Sequence, residues 1–587
     1  MKVRPIWPIG LGISLAAAGL ALLLAVAVVP AWAAAPEPQT SAGGMVVSPQ
    51  PDATRAGVAM LEAGGNAVDA AVATALALSV SDAHHSGIGG GGFLLVRMAD
   101  GRTAAIDARE TAPAAATRDM YLQPGLHEHA SRFGALSVGT PGLLAGLVLA
   151  LERYGTLSLA EVTAPAVRLA EEGFAIGPHH ARSLAFWKKV GLAARFPETA
   201  RIQLAPGGAV PAAGWRLVQR DKARTLRRIA REGPELFYRG ELARKIASAV
   251  QERGGILTAD DLAGYAPKVR EPIRGSYRGL EVLSFPPPSS GGIALVQILN
   301  VLEGFDLAGR GAGSSAGNHR IAEAMKLAFA DRAAWLGDAD FVDVPVAGLV
   351  SKAYAAELRR RINPPRWRRA PWTWGRGEVA IRVVGPGEPP RDAGTTHFSV
   401  TDAAGNAVAV TQTINLIFGS GITVPGTGIV LNDEMDDFSV APDRPNAFGL
   451  VDTRGANAIA PGKRPLSSMT PTILVKDGRP FMVTGSPGGP RIISTTLLTV
   501  LNVVDYGMDV MEAVSAPRFH HQWMPDRLLL EPSIPRDVAD GLRARGHNVE
   551  VSEREWSSAQ AIVIDPESDL HTGGADPRSD GLALGPR

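Results

Sequence analysis

One stretch constrains the fold of this chain more than any other: residues 363 to 393 lose all regular patterning. Asn363-Pro364-Pro365-Arg366-Trp367-Arg368-Arg369 and Gly385-Pro386-Gly387-Glu388-Pro389-Pro390 are rich in proline and arginine. Proline fixes φ and has no N–H to donate, so neither a helix nor an inner strand runs through such a segment. The texture differs on its two sides. Asp52 to Ala63 reads as a helix stopped by Gly64-Gly65, and Asn66 as the N-cap of an alanine-rich helix through Ser79. Phe93–Val96 and Thr103–Asp107 form a hairpin around Asp100-Gly101, and from Tyr154 to about Leu358 the pattern is mostly helical. Beyond the break, Thr396–Thr401 with Ala407–Thr413, and Thr472–Val475 with Phe481–Thr484, read as hairpins. Helices first and strands later, with no solenoid repeat, predict an α+β layered architecture.

Composition narrows the chemistry. With 59 basic and 58 acidic side chains, the net charge of +1 gives no field that favours nucleic acid. Zero cysteines exclude disulfides, thiolate metal sites and cysteine nucleophiles. The first 35 residues read as a leader: Lys2 and Arg4, an apolar run from Ile9 to Val29, then Ala31-Trp32-Ala33-Ala34-Ala35. Cleavage is expected after Ala33 or Ala35. An uncleaved anchor stays open, because about 21 apolar residues just span a bilayer. Either reading exports the body to the periplasm or beyond.

Three familiar motifs carry no chemistry. Gly313-Ser314-Ser315-Ala316-Gly317 lacks the apolar strand that must precede a nucleophile elbow. The pairs His84-His85 and His520-His521 lack a spaced third ligand, so no metal site is expected. Glycines 87 to 92 lack the Lys-Ser/Thr of a phosphate loop and read as a tight turn.

Gly394-Thr395-Thr396 is more informative. A threonine hydroxyl is a poor nucleophile without a base beside it. If a cut exposes the threonine as a chain terminus, its own α-amine, titrating at about 8, supplies that base. Gly394 places a small residue on the leaving side, and the loose stretch upstream could swing clear. On chemistry alone, two threonines before a strand are also ordinary β-branched filler.

Longer motifs add a resemblance. Thr395-Thr396-His397-Phe398-Ser399-Val400, Leu431-Asn432-Asp433-Glu434-Met435-Asp436-Asp437-Phe438-Ser439, Lys463-Arg464-Pro465-Leu466-Ser467-Ser468-Met469 and Gly485-Ser486-Pro487-Gly488-Gly489 resemble γ-glutamyltranspeptidases. So do Gly64 to Ala71, Gly89 to Phe93 and Asp107-Ala108-Arg109-Glu110-Thr111-Ala112-Pro113, in order across residues 44 to 580. The resemblance implies an N-terminal-nucleophile hydrolase, a four-layer αββα sandwich made as one precursor. It would cut itself between Gly394 and Thr395 into a large subunit, 36–394 (with 362–394 a flexible linker), and a small subunit, 395–587, that remain associated.

Carried over by resemblance, Thr395 is the nucleophile of both self-cleavage and turnover, and Thr413 orients it. Main-chain N–H groups of Gly488 and Gly489 form the oxyanion hole. Arg109 clamps the donor's α-carboxylate with help from Ser467 and Ser468. Asn415, Glu434 and Asp437 surround its α-ammonium, although an acidic run such as 433–437 is elsewhere often a solvated loop. Residues 441 to 460 correspond to a lid, where Phe448 replaces the tyrosine of the bacterial pattern and cannot donate a hydroxyl hydrogen bond to Asn415. Glu434 stands where some relatives carry an amide.

The expected reaction passes a γ-glutamyl group, with glutathione the default donor, through Thr395 to water or to an amino acid or peptide amine. No cofactor, metal or nucleic acid is expected. Two alternatives are a same-scaffold acylase (cephalosporin acylase or poly-γ-glutamate processing) and an uncleaved, inactive periplasmic binding homologue.

Overall fold

Fourteen strands in two antiparallel sheets of seven build the centre of the molecule. The computed structural model describes residues 37–362, 393–440 and 444–587. The leader, the proline-rich linker and the first residues of the lid segment therefore lie outside the described residues.

The first sheet runs Leu582–Leu584, Gly44–Ser48, Ala393–Asp402, Ala407–Leu416, Gly91–Arg97, Thr103–Ala108, Lys268–Arg270. The second runs Gln39–Ser41, His571–Ala575, Gln560–Ile564, Arg479–Gly485, Thr472–Lys476, Leu280–Ser284, Ile273–Tyr277. Successive side chains on a strand point to opposite faces, so alternation identifies what each face covers. Met45, Val47, Phe93 and Leu95 of the first sheet meet Leu283, Ile473, Val475 and Val483 of the second in one apolar cluster. Their neighbours Val46, Leu94, Val96, Phe398 and Val400 face outward into a second cluster with the helices of residues 51–81 and 143–172. Val282, Leu474 and Met482 likewise face the helices Gly291–Leu302, Ser315–Trp335 and Arg491–Val504. The order is helices, sheet, sheet, helices: the αββα sandwich. Burial on both faces explains why Phe93–Val96 reads as an unbroken apolar run.

The alanine-rich helix runs Ala67–Ser81 and every residue in it is buried. Small side chains let it lie between the helix Pro51–Glu62 and the first sheet. Its start matches the sequence reading. Asn66 Oδ1 accepts from Val68 N at 2.8 Å and Asp69 N at 3.2 Å, while Asp69 Oδ2 accepts from Asn66 N at 2.8 Å.

The stretch 154–358 is mostly helical, as expected, but it also holds the hairpin Ile273–Tyr277 and Leu280–Ser284, which completes the second sheet. Ile273 and Tyr277 face the core and alternate with Arg274 and Ser276, too short a pattern around Gly275 to mark a strand by itself. The hairpin is held by pairing of Leu280–Ser284 with Thr472–Lys476, far along the chain. The two halves are interleaved in space. Each sheet takes strands from both sides of the linker, so a cut at residue 394 leaves two chains sharing two sheets. The Gly313–Gly317 motif opens a helix, with Ser314 as N-cap accepting from Gly317 N at 3.1 Å. No helix among the described residues is long and apolar enough to cross a membrane.

Candidate active site

Thr395 lies in the strand Ala393–Asp402, paired with Ala407–Leu416 at the middle of the first sheet. Register slips at this point: Gly394 faces Asn415, but Thr395 faces Thr413. Thr395 and Thr413 continue the regular register that runs on to Thr401 opposite Ala407, so their side chains share one face, and the slip, a β-bulge, displaces only the backbone before Thr395. Thr395 Oγ1 is 3.1 Å from Thr413 Oγ1, and Thr413 Oγ1 donates to the Gly394 carbonyl at 2.8 Å. Asn415 N donates to Thr413 Oγ1 at 2.8 Å. Thr413 has one proton, already given to Gly394 O, so it accepts from Thr395. The chain of bonds loosens the Thr395 proton and draws electrons from the carbonyl that precedes it. Gly394 is required here, since a Cβ would run into the Leu416 carbonyl.

Gly488 and Gly489 form the turn before the helix Arg491–Val504, at φ +132° and +57°. A Cβ at Gly489 would come within 2.6 Å of the Phe448 ring, and one at Gly488 would collide with Ser557 Oγ. Phe448 is buried with Leu416 and Ala447. The Phe448 ring therefore packs against the glycine turn by apolar contact. Asn415 has another partner for its amide: Nδ2 donates to the Asp433 carbonyl at 3.1 Å.

The expected donor clamp is assembled and already engaged. Arg109 is buried; its guanidinium pairs with Glu434 and Asp437, and its Nε donates to Pro465 O at 3.2 Å. Burial alone would lower the arginine's pKa, but the attraction of Glu434 and Asp437 reverses that and raises it. Burial pushes Glu434, Asp433 and Asp437 upward, with Arg109 opposing the rise at Glu434 and Asp437. Glu110, 3.8 Å from Arg109 Nη1, is pushed up to about 7 by burial against the same opposing cation. The run 433–437 is thus not a solvated loop, because all of its acids are buried. Ser467 Oγ accepts from Met469 N at 3.1 Å, and the Ser468 carbonyl accepts from Thr470 Oγ1 at 2.8 Å.

The cavity that Thr395 and Gly488 line has a different set of walls: Gln50, Asp82, His85, His179, Arg491, Trp556 and Ser557 among them. None of the six expected donor-binding residues is in those walls. Its volume of about 60 Å³ admits a few waters, not a tripeptide. Asp82 Oδ2 accepts from Thr396 Oγ1 at 2.5 Å, and Oδ1 lies 3.1 Å from His85 Nδ1. Burial pushes Asp82 up, but His85 and the Thr396 bond outweigh it and hold its pKa below the ordinary value. Sequence reasoning missed this wall. Asp82 and His179 sit in no motif, and only the fold brings them together. It also missed a third histidine for the His84-His85 pair, which His179 supplies from the helix Pro178–Lys189.

The γ-glutamyltranspeptidase family model matches residues 53–585. The chain belongs to the γ-glutamyltranspeptidase family. It is 46% identical to a glutathione hydrolase proenzyme of Escherichia coli over 561 residues, 92% of each chain. It is 43% identical to an acylase ACY 1 proenzyme of a Pseudomonas species, over 93% of this chain and 94% of that one. Among solved structures, a cephalosporin acylase from Bacillus halodurans superposes with a TM-score of 0.82 at 31% identity, over 95% of this chain and 98% of that one. The family's N-terminal-nucleophile architecture accounts for the sandwich and for a threonine at a strand start between the two sheets.

Proposed function

We propose that the chain is a self-cleaving γ-glutamyl hydrolase and transferase whose nucleophile is Thr395. The observation that carries this reading is the chain of bonds from Thr395 Oγ1 through Thr413 Oγ1 to the Gly394 carbonyl. In self-cleavage Thr395 Oγ attacks the Gly394 carbonyl carbon. The Gly394–Thr395 amide breaks, an ester to Oγ forms, and water hydrolyses it. The products are a Gly394 carboxylate and a Thr395 α-amine. That amine then takes the Oγ proton when a γ-glutamyl amide replaces the peptide. The leaving amine departs with a proton, and the acyl group passes to water or to an amino acid or peptide amine.

Gly488 and Gly489 supply main-chain donors to the oxyanion in this reading, and Arg109 pairs the donor's α-carboxylate while Glu434 and Asp437 hold its ammonium. Glutathione, the substrate in the name of the Escherichia coli relative, is the donor of choice. A glutaryl donor has no ammonium to match Glu434 and Asp437, which weighs against the acylase activity of the other relatives. Residues 1–35 direct export, and the two fragments stay together as a heterodimer through their shared sheets. Turnover of γ-glutamyl and glutaryl anilides tests the donor class. Preference for the γ-glutamyl compound supports the reading, and preference for the glutaryl compound makes the chain an acylase.

A further inference from the structure

Behind the wall of the Thr395 cavity, four imidazoles are packed together. His84 stacks on His180 with ring centroids 4.1 Å apart and meets His85 at 3.9 Å; His85 lies 5.3 Å from His179. Ring nitrogens of His84, His85 and His179 all fall within 4.8 Å of one another. His84 is fully buried and neither of its ring nitrogens has a hydrogen-bond partner. A buried imidazole with no partner loses its hydration without replacement, so a structure that only needed bulk there would place an apolar residue. Asp82 stands at the mouth of the group, with Oδ1 3.1 Å from His85 Nδ1 and 3.6 Å from His84 Nδ1.

We propose that His84, His85 and His179 form a binding site for a divalent transition-metal ion of the zinc class, with Asp82 as the carboxylate that orients His85. Imidazole is the preferred ligand of such ions, and three histidines leave a fourth position for water. Zinc–nitrogen bonds of about 2.0–2.1 Å in a tetrahedral site put two ligand nitrogens about 3.4 Å apart, so the rings close by up to about 1.4 Å to bind the ion. A carboxylate behind a ligating histidine is the usual second partner of such sites: it fixes the ring and adds negative charge. His179 is half-buried and shares the cavity with Thr395, which gives the ion a way in.

A second cluster among the described residues has the same outline without the same promise. His319, Glu323 and His547 also converge, but His319 Nδ1 and His547 Nε2 already bond each other at 2.8 Å. Arg320, Arg545 and Lys326 surround that cluster with positive charge. The Asp82 cluster has a carboxylate where the other has cations, and one of its imidazoles has no partner.

The site concerns an accessory ion and does not depend on the catalytic reading, because the test reads the metal and not turnover. Tag-free full-length chain, stripped with chelator, is titrated with Co²⁺ and the visible d–d absorption of low-coordinate cobalt is followed, then competed with Zn²⁺. The expected result is an intense band at one equivalent that Zn²⁺ abolishes. His179→Gln, a substitution at a half-buried position, should weaken binding by at least the roughly 10–100-fold that losing an outer-shell partner costs, while His547→Gln leaves the band intact. Only the weak spectrum of octahedral aqua-cobalt in the wild type would overturn the proposal. So would a band unchanged in His179→Gln, or one lost in His547→Gln instead. His84→Ala, checked for native circular dichroism, is the second variant should His179→Gln fail to fold.

Discussion

Two polar regions flank Thr395, and they are built on opposite principles. On one side Arg109 is buried among Glu110, Glu434 and Asp437: three carboxylates around one guanidinium. On the other, Asp82 is buried beside His85, with His84 held well below its ordinary pKa by burial and by neighbouring histidines. The first region stores charge and satisfies it internally. The second pairs Asp82 with His85 and leaves both ring nitrogens of His84 without a hydrogen bond. In the proposed reading the paired charge of the first region meets a zwitterionic amino-acid head, and the imidazoles of the second meet a borderline cation such as zinc. None of Arg109, Glu110, Glu434 and Asp437 lines the Thr395 cavity, whereas Asp82, His85 and His179 form part of its wall.

The comparison breaks most visibly at Arg109. Arg109→Ala leaves Glu434 and Asp437 buried without their cation, which should cost about 3–5 kcal/mol of stability. Urea denaturation of the uncut Thr395→Ala background measures this. Where the variant folds, KM for a γ-glutamyl donor rises while the self-cleavage rate changes little. A lost cut with unchanged stability would mean that Arg109 acts on the nucleophile instead.

Glu110 sharpens the same contrast through pH. Its pKa, ordinarily 4.5, is raised to about 7 in the fold, so the folded chain keeps a proton that the unfolded chain has lost. The Glu110 contribution to stability is then most favourable below pH 4.5 and is lost as pH rises through about 7. Glu110→Gln removes that slope and should be more stable than wild type at pH 8 by about 3 kcal/mol, with the difference vanishing at pH 4.5. A difference independent of pH would show that Glu110 is ionised throughout.

On the imidazole side, Asp82→Asn weakens the charged acceptor of Thr396 Oγ1, next to the nucleophile. Self-cleavage should slow by roughly tenfold, the worth of a hydrogen bond to a charged group. Donor KM should stay near wild type, the reverse of Arg109→Ala. Phe448→Tyr is expected to be the mildest. The Asn415 amide is already bonded to the Asp433 carbonyl, so the added hydroxyl should shift the hydrolysis-to-transfer ratio by less than about tenfold.

These regions also differ in how far sequence reveals them. Arg109, Glu434, Asp437, Ser467 and Ser468 sit in contiguous motifs, and local patterning places Thr395 and Thr413 on one hairpin. The cap at Asn66 and the buried alanine helix are legible because both are local. Asp82, His179 and the hairpin Ile273–Ser284 are not. Their meaning lies in partners that arrive from elsewhere in the chain, such as Thr396 for Asp82 and Thr472–Lys476 for the hairpin. The His84-His85 pair shows the limit plainly: two adjacent histidines give no sign of a third ligand that only the packing of the helix Pro178–Lys189 delivers.

The central claim is that the Gly394–Thr395 bond is cut and that Thr395 then acts as a terminal nucleophile. Intact mass under denaturing conditions, with N-terminal sequencing of each species, tests it most directly. The account predicts a fragment of roughly 20 kDa that begins at Thr395, the 193-residue share of a 587-residue, 61.4 kDa chain, and no such fragment from Thr395→Ala. A single uncut wild-type chain that still turns over γ-glutamyl donors would contradict it.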